Sequence, residues 1–128
     1  MALNDTLSNA LSIIFKAESL GRTSCIVQDS KLIRQVLSLM RDEGYIASMA
    51  PIETERAKLL VQLSGSVNKC GVIKPRYNVK LPEFEKFEKR YLPAKNMGII
   101  IVSTSQGTVT HRVAKDRKSG GRLLAYCY

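Results

Sequence analysis

A run of small polar residues follows an aliphatic segment in the second half of this chain. Within IIIVSTSQGTV, residues 99–109, the hydroxyl residues Ser103, Thr104 and Ser105 precede a glutamine and Gly107. Short hydroxyl side chains both donate and accept hydrogen bonds, and they let another backbone come close. Gly107 can take a positive φ and turn the chain. This pattern predicts a loop that contacts a polar partner.

The aliphatic residues before the loop predict where it lies. Residues 99–102 form a continuous β-branched run, which is typical of a strand covered on both faces. Polar residues that follow such a strand are presented at an edge of the sheet. We therefore expect residues 103–107 to lie at a sheet edge.

A hydrolase is the alternative that these residues raise. Ser103 or Ser105 would be the nucleophile, with His111 as the base and Asp116 as the orienting carboxylate. The serines do not stand in a G-x-S-x-G elbow, and no phosphate-cradling or dinucleotide-binding glycine pattern is present. His111 and Asp116 fall on a predicted cationic helix, where solvated surface positions are expected. We therefore expect no catalytic residues.

Basic residues surround the hydroxyl loop in the sequence. The net charge is +9, and all of the excess lies after residue 64, because residues 1–64 hold seven basic and seven acidic residues while residues 65–128 hold thirteen and four. Such asymmetry favours a polyanionic partner for the second half. The candidate cations are Lys74, Arg76, Lys80, Arg112, Lys115, Arg117 and Lys118.

Hydroxyl groups combined with cations favour RNA over DNA. The minor groove of A-form RNA is wide, shallow and lined with 2′-hydroxyls, so short polar side chains and backbone can lie against it. No predicted helix is suited to a DNA major groove. We expect the cations to dominate affinity and the loop to set register and specificity.

Composition excludes several other classes. At 128 residues, the chain suits one compact domain or two small halves sharing a core. No apolar run approaches the roughly 20 residues that span a bilayer, and the opening residues lack signal-peptide blocks, so we expect a cytoplasmic protein without a membrane partner. The cysteines, Cys25, Cys70 and Cys127, are odd in number and widely spaced. We expect reduced thiols, no metal, no cofactor and no small-molecule substrate.

The first half reads as α-β-α-β-β. Asn4 or Asp5 can cap a helix that Gly21 ends, and Asp29 or Ser30 can open a second helix that Gly44 ends. A short strand is predicted around Cys25–Val27, and two more cover YIASM and AKLLVQL. In AKLLVQL, Leu59, Val61 and Leu63 alternate with Lys58, Leu60 and Gln62. The glycines of SGSVNKCG mark the boundary between the halves.

The second half predicts a mainly β arrangement with short helices. VIKPRYNVKL, residues 72–81, reads as one strand with a cationic face. Pro82 opens a helix whose aromatics Phe84, Phe87 and Tyr91 pack inward. Thr110 caps a short helix that presents Arg112, Lys115 and Lys118 outward and that Gly120 and Gly121 stop. RLLAYCY reads as a central strand.

The chain resembles the small-subunit ribosomal protein eight family, in its eukaryotic and archaeal branch. STSQG stands after an apolar strand and before a basic helix, and ALSIIFKAESLGR, SKLI, EGYI and NKCGVIKPRYNV follow the same family order over nearly the whole chain. The resemblance implies a protein that binds the central domain of small-subunit ribosomal RNA directly, promotes its folding and assembly, and stays beside neighbouring ribosomal proteins. The alternative is a translational repressor that binds its own messenger through the same surface.

The resemblance also implies individual contacts. Ser103, Thr104, Ser105 and Gly107 match the family's RNA-contacting loop, in which Gln106 replaces the lysine usual in bacterial members and cannot neutralise a phosphate. The other implied contacts are Ser30 and Lys31 in the first half, and Lys74, Pro75 and Arg76 at a turn. We therefore predict an α+β protein with two abutting small domains, an N-terminal α/β domain at residues 1–65 and a basic RNA-binding domain at residues 66–128.

Overall fold

The structure, a computed structural model, describes residues 6–54, 56–74, 76–94 and 97–128. Its contacts divide the chain into an N-terminal unit, Met1–Gly71, and a C-terminal unit, Val72–Tyr128. The helices are α1 (Thr6–Ser19), α2 (Lys31–Asp42), α3 (Phe84–Tyr91) and α4 (His111–Asp116). The strands are β1 (Ser24–Gln28), β2 (Ile46–Pro51), β3 (Lys58–Leu63), β4 (Cys70–Val72), β5 (Asn78–Val79), β6 (Ile99–Thr104), β7 (Gly107–Thr110) and β8 (Gly121–Cys127). The predicted α+β class is confirmed. The boundary predicted between residues 65 and 66 stays a prediction.

Helix α1 ends where the sequence predicts. Gly21 has a φ of +73°, and the N–H of Arg22 donates to the carbonyl oxygen of Ala17 at 3.0 Å. This hydrogen bond closes the helix end around a residue in the left-handed region, which glycine adopts without steric cost. The predicted caps, Asn4 and Asp5, lie outside the described residues.

Helix α2 begins with two polar side chains that act together. The Oγ of Ser30 accepts a hydrogen bond from the N–H of Ile33 at 3.1 Å, so Ser30 is the N-cap. Asp29 accepts from Arg34 through both carboxylate oxygens at 2.6 Å, and this pairing lowers the pKa of Asp29. At the other end, Gly44 has a φ of +86°. The predicted start and end of this helix are confirmed.

The N-terminal sheet has the order β1-β3-β2 and is antiparallel. In its central strand β3, Leu59 and Val61 are buried while Lys58 and Gln62 are exposed, as the alternating pattern predicts. The buried apolar residues of α1 and α2 pack against the buried side of this sheet. Both amphipathic helices therefore cover the same face, and the other face of the sheet is exposed.

The C-terminal sheet has the order β4-β8-β6-β7, and β5 also pairs with β8. Residues 99–102 of β6 are all buried, and β8 lies between β6 and the short strands β4 and β5. The predictions that β6 is covered on both faces and that β8 is central are therefore confirmed.

The single strand predicted over residues 72–81 is wrong. Strand β4 ends at Val72, and β5 holds only Asn78 and Val79. The backbone pairs with β8 both before and after the interruption. Before it, the N–H of Ile73 donates to the carbonyl oxygen of Leu124 at 3.0 Å. The sequence contains the reason, because a proline has no N–H to donate to a ladder; Pro75 itself lies outside the described residues.

The aromatic residues of α3 pack inward as predicted. A 3₁₀ turn at Leu81–Glu83 precedes the helix, and the N–H of Lys80 donates to the Glu83 carboxylate at 2.9 Å. Phe84 and Phe87 are buried, and the ring of Phe87 lies 5.2 Å from that of Tyr77, centre to centre. These rings therefore belong to the core.

Helix α4 ends earlier than predicted. It stops at Asp116, and Lys118 takes a φ of +53° while the N–H of Ser119 donates to the carbonyl oxygen of Ala114 at 2.9 Å. The prediction that Gly120 and Gly121 stop the helix is wrong, because Lys118 makes the left-handed turn.

The two glycines instead allow strands to approach closely. A Cβ at Gly121 would lie 2.5 Å from the carbonyl oxygen of Ser103 and 2.7 Å from the Cγ1 of Val102, and a Cβ at Gly120 would collide with the carbonyl oxygen of Val79. The start of β8 therefore contacts the backbone of β5 and the end of β6 without an intervening side chain.

The close approach makes Gly121→Ala destabilising. We expect a loss of about 1–3 kcal/mol in the free energy of unfolding, because the new Cβ meets the backbone carbonyl of Ser103 and the short, buried side chain of Val102, and neither is the end of a flexible side chain. Urea denaturation of Gly121→Ala and of the neighbouring control Ser119→Ala measures this difference. Equal stability of both variants and the parent would show that β6 and β8 separate easily.

Candidate nucleic-acid interface

The predicted polar loop is the tip of a β-hairpin. Strand β6 ends at Thr104, Ser105 and Gln106 form the turn, and β7 starts at Gly107, which pairs with Thr104 and has a φ of +124°. The Oγ1 of Thr104 donates to the carbonyl oxygen of Gly107 at 2.8 Å and accepts from the N–H of Gln106 at 3.1 Å. The hydroxyl of Thr104 therefore holds the turn in shape, while Ser105 and Gln106 are exposed.

An open pocket of about 490 Å³ adjoins this tip. It lies within the C-terminal unit, and its walls come from the hairpin, from β5 and the turn after it, and from the start of β8. The lining residues are Asn78, Val79, Lys80, Glu83, Ser103, Thr104, Ser105, Gly121 and Arg122. The pocket thus brings the hydroxyl residues together with the predicted cation Lys80.

Sequence reasoning missed three polar residues of this pocket: Asn78, Glu83 and Arg122. Arg122 stands opposite Asn78 on one side of β8 and opposite Ser103 on the other. Its Nε lies 3.5 Å from the Oδ1 of Asn78. The exposed position of Arg122 on β8 could be inferred from its neighbours, but its strand partners could not, because pairing register is a tertiary property.

Two predicted cations of α4 contact other parts of the protein. The guanidinium of Arg112 donates to the carbonyl oxygen of Gly98 at 3.1 Å, and the Nζ of Lys115 lies 2.7 Å from the Glu88 carboxylate. Gly98 precedes β6, whereas the pocket lies where β6 ends, roughly 20 Å away at 3.3 Å per residue. The expectation that α4 presents Arg112 outward is wrong, because its guanidinium is bound to the backbone and the residue is half-buried.

The remaining predicted contacts differ in exposure. Lys74, Arg76, Arg117 and Lys118 are exposed in the C-terminal unit, whereas Pro75 lies outside the described residues. In the N-terminal unit, Lys31 is exposed and the Ser30 hydroxyl serves as the α2 cap. Their contacts with RNA stay predictions.

The matched family decides the class of protein. The family model of Ribosomal protein S8 matches residues 5–128, nearly the whole chain. The chain belongs to this family. Family members are structural, rRNA-binding proteins of the small ribosomal subunit and not enzymes. The resemblance inferred from the STSQG loop and its surroundings is therefore confirmed.

The hydrolase alternative receives no support from the position of His111. The imidazole is buried, so the predicted surface position is wrong, although Asp116 is exposed as expected. The Nδ1 of His111 accepts the N–H of Ile100 at 3.0 Å, three residues before Ser103 in β6. That spacing separates the ring from Ser103 by roughly 10 Å, and the family is not an enzyme family.

The burial of His111 has a structural reason. Strand β7 pairs Thr110 with Ile101, and the chain then enters α4, so the strand provides no acceptor opposite Ile100. His111 supplies that acceptor through Nδ1, which leaves the proton of the neutral ring on Nε2. The Nε2 atom lies 3.5 Å from the Glu88 carboxylate.

The other reactive groups also have structural settings. Cys25, Cys70 and Cys127 are free thiols, as predicted, and burial is the main cause that raises the pKa of Cys25 to about 11. Within the described ranges, no group of three or more histidine, cysteine or acidic residues could hold a metal ion. No helix in that same part of the chain is long and apolar enough to cross a membrane.

Stability should fall in mild acid because of His111. Burial lowers the pKa of His111 below its ordinary value of 6.5, against the opposing effect of Glu88 and with the help of Arg112 and Lys115. The unfolded chain then binds more protons below pH 6.5, so the free energy of unfolding decreases as the pH falls below that value, by at most about 1.4 kcal/mol per pH unit.

Urea denaturation between about pH 7.5 and about pH 5.5 measures the effect against His111→Gln, which keeps an acceptor but does not titrate. The parent should lose stability relative to the variant in this window. An NMR titration of the single histidine provides a check that does not require the variant to fold. A measured pKa above 6.5 would contradict the expectation.

Proposed function

We propose that the hairpin tip and the adjoining pocket of the C-terminal unit bind the central domain of small-subunit ribosomal RNA. The observation that carries the proposal is the pocket itself, which is lined by Ser103, Ser105 and Asn78 together with the cations Lys80 and Arg122. Family membership supports an RNA ligand, and the pocket supplies short polar groups beside positive charge.

The tip offers a rigid set of hydrogen-bonding groups to RNA. Thr104 holds the turn through two hydrogen bonds, so little ordering is needed when the loop binds. The exposed hydroxyl of Ser105 can donate to or accept from a 2′-hydroxyl, and the half-buried Ser103 adds a second hydroxyl at the pocket wall. These groups set the position of the RNA on the protein.

The cations around the pocket supply the electrostatic part of binding. Lys80 and Arg122 are exposed lining residues in a half of the chain that carries the whole charge excess. The Glu83 carboxylate accepts the backbone N–H of Lys80, which gives this acidic group a structural role beside the positive side chains. Each cation that reaches a phosphate releases counterions and makes binding salt-dependent.

A preformed surface of this kind acts by mutual stabilisation. It binds one RNA conformation better than its competitors and shifts the RNA population toward that conformation. The proposed role is therefore to promote folding of the central domain during assembly of the cytoplasmic small subunit and to remain there beside neighbouring ribosomal proteins.

Ser105→Ala should weaken binding to a central-domain RNA fragment by about 1–3 kcal/mol, because a polar group of the RNA loses its partner. The melting temperature should hardly change, since Ser105 is exposed in the turn. A filter-binding titration checks this, with Ser66→Ala as the control because Ser66 is exposed in the N-terminal unit. Unchanged affinity of Ser105→Ala would remove its hydroxyl from the mechanism.

The double variant Lys80→Gln with Arg122→Gln should flatten the dependence of log affinity on log salt by roughly one unit per lost phosphate contact. The matched control is Lys86→Gln with Lys89→Gln, which removes the same charge from exposed positions of α3 outside the pocket. Equal slopes for the two double variants would show that only net charge matters and would contradict the site.

Competition between RNAs separates assembly from repression. A ribosomal RNA fragment and the protein's own messenger compete for the same purified protein in one titration. Preferential binding of the ribosomal fragment supports assembly as the main role. Preferential binding of the messenger would make the repressor the better description of this surface.

A further inference from the structure

A second concave surface lies in the N-terminal unit, between helix α1 and the outer edge of strand β1. It is a groove of about 510 Å³. The groove is lined by Ile13, Lys16, Ala17, Leu20, Arg22, Ser24, Cys25, Ile26 and Leu60. None of these residues belongs to the pocket proposed for RNA, so the groove needs a separate explanation.

On the side of β1 that faces this groove, backbone N–H and carbonyl groups have no neighbouring strand among the described residues. β1 is an edge strand, and no strand within the described residues pairs with its other side. Leu63 donates to Thr23 and Asp29 donates to Ala57, both at 2.8 Å and both in the antiparallel register of β1 with β3. In such a ladder, bonded pairs alternate, so Cys25 and Val27 also bond to β3.

The backbone groups of the residues between these bonded positions of β1 point away from β3. Alternation directs the N–H and carbonyl groups of Ser24, Ile26 and Gln28 away from β3 and toward the open edge. Such a row of donors and acceptors is a template for another strand. A partner with an extended backbone satisfies both kinds of group, whereas an RNA backbone has few donors for the carbonyl oxygens.

The side chains around the groove match an extended peptide of particular composition. Leu20 is 60% exposed and Ile26 is 47% exposed, which is unusual for large aliphatic residues that lie close together. Lys16 and Arg22 are the charged lining residues, and none of the described carboxylates lines the groove. Alternate aliphatic side chains of a partner strand would cover Leu20 and Ile26, and acidic ones would meet the two cations.

We propose that this groove binds an extended segment of another protein, with alternating aliphatic and acidic side chains, which adds to β1 as a fourth strand. Self-association fits less well, because a second copy would place Lys16 and Arg22 against the same cations. The site is independent of the RNA surface, so the two can fail separately.

A synthetic peptide of about seven residues that alternates valine and glutamate tests the proposal on the full chain. Amide hydrogen exchange followed by NMR should show slow exchange at Cys25 and Val27 in the free protein and fast exchange at Ser24, Ile26 and Gln28. The peptide should slow exchange at these three amides alone within β1. A peptide of the same sequence, N-methylated at alternate amides, should have no effect.

Two variants separate backbone recognition from charge. Ile26→Pro removes an outward N–H without removing a bond to β3, and it should weaken peptide binding more than tenfold. The double variant Lys16→Glu with Arg22→Glu should prefer a lysine peptide to the glutamate peptide, reversing the parent's preference. The double variant Arg41→Glu with Arg56→Glu is the matched control, because both residues are exposed in the N-terminal unit outside the groove, and it should bind like the parent.

Binding to the RNA fragment should be unchanged in all of these variants. The proposal is overturned if the peptide leaves the three amides in fast exchange or if the N-methylated peptide binds equally well. It is also overturned if the free protein is a dimer with these amides already protected, or if the RNA fragment protects them instead. The exchange pattern and the charge reversal still decide the matter if Ile26→Pro fails to fold.

Discussion

In the C-terminal unit, the start of β8 lies close to β5 and to the end of β6 because positions 120 and 121 carry no side chain. A Cβ at either position would collide with the backbone of β5 or β6. The pocket depends on this close approach, since Gly121 lines it and the walls on either side come from β5 and from the β6 hairpin. Residues about twenty positions apart along the chain are thereby held in one polar surface.

The hairpin tip adds a second constraint that works in the same direction. The hydroxyl of Thr104 is bonded to the backbone of Gln106 and of Gly107, so the positions of Ser105 and Gln106 follow from the end of a strand whose first four residues are buried. A hydroxyl residue in such a loop therefore has one of two roles. Thr104 shapes the turn, whereas Ser105 is exposed and is proposed to meet the RNA, although their side chains are chemically similar.

Much of the fold could be predicted because its signals are local. The buried run at residues 99–102, the alternation around Leu59 and Val61, and the helix ends at Gly21 and Gly44 all follow from periodicity and backbone conformation.

The site was only partly predictable. The hydroxyl loop and Lys80 were found by residue type, whereas Arg122 required the register of β8 against two neighbours. His111 was misplaced because a charged helix suggests solvent, while the packing of α4 on β6 is decided by the missing acceptor for Ile100.

The number of basic residues in the sequence overstates how many cations can contact a phosphate. Of the basic residues in the second half, Lys115 is paired with Glu88, and Arg112 is bound to a backbone carbonyl at the far end of β6 from the pocket. A side chain held in this way adds to the long-range field but cannot reach a phosphate without first breaking its contact. The long-range attraction therefore belongs to the whole basic half, whereas short-range contacts belong to the exposed cations beside the hydroxyls. In the proposed interface, the preformed polar tip with few neighbouring cations would read the shape of the RNA through hydrogen bonds, and the diffuse charge would bring the RNA close enough for that recognition to occur.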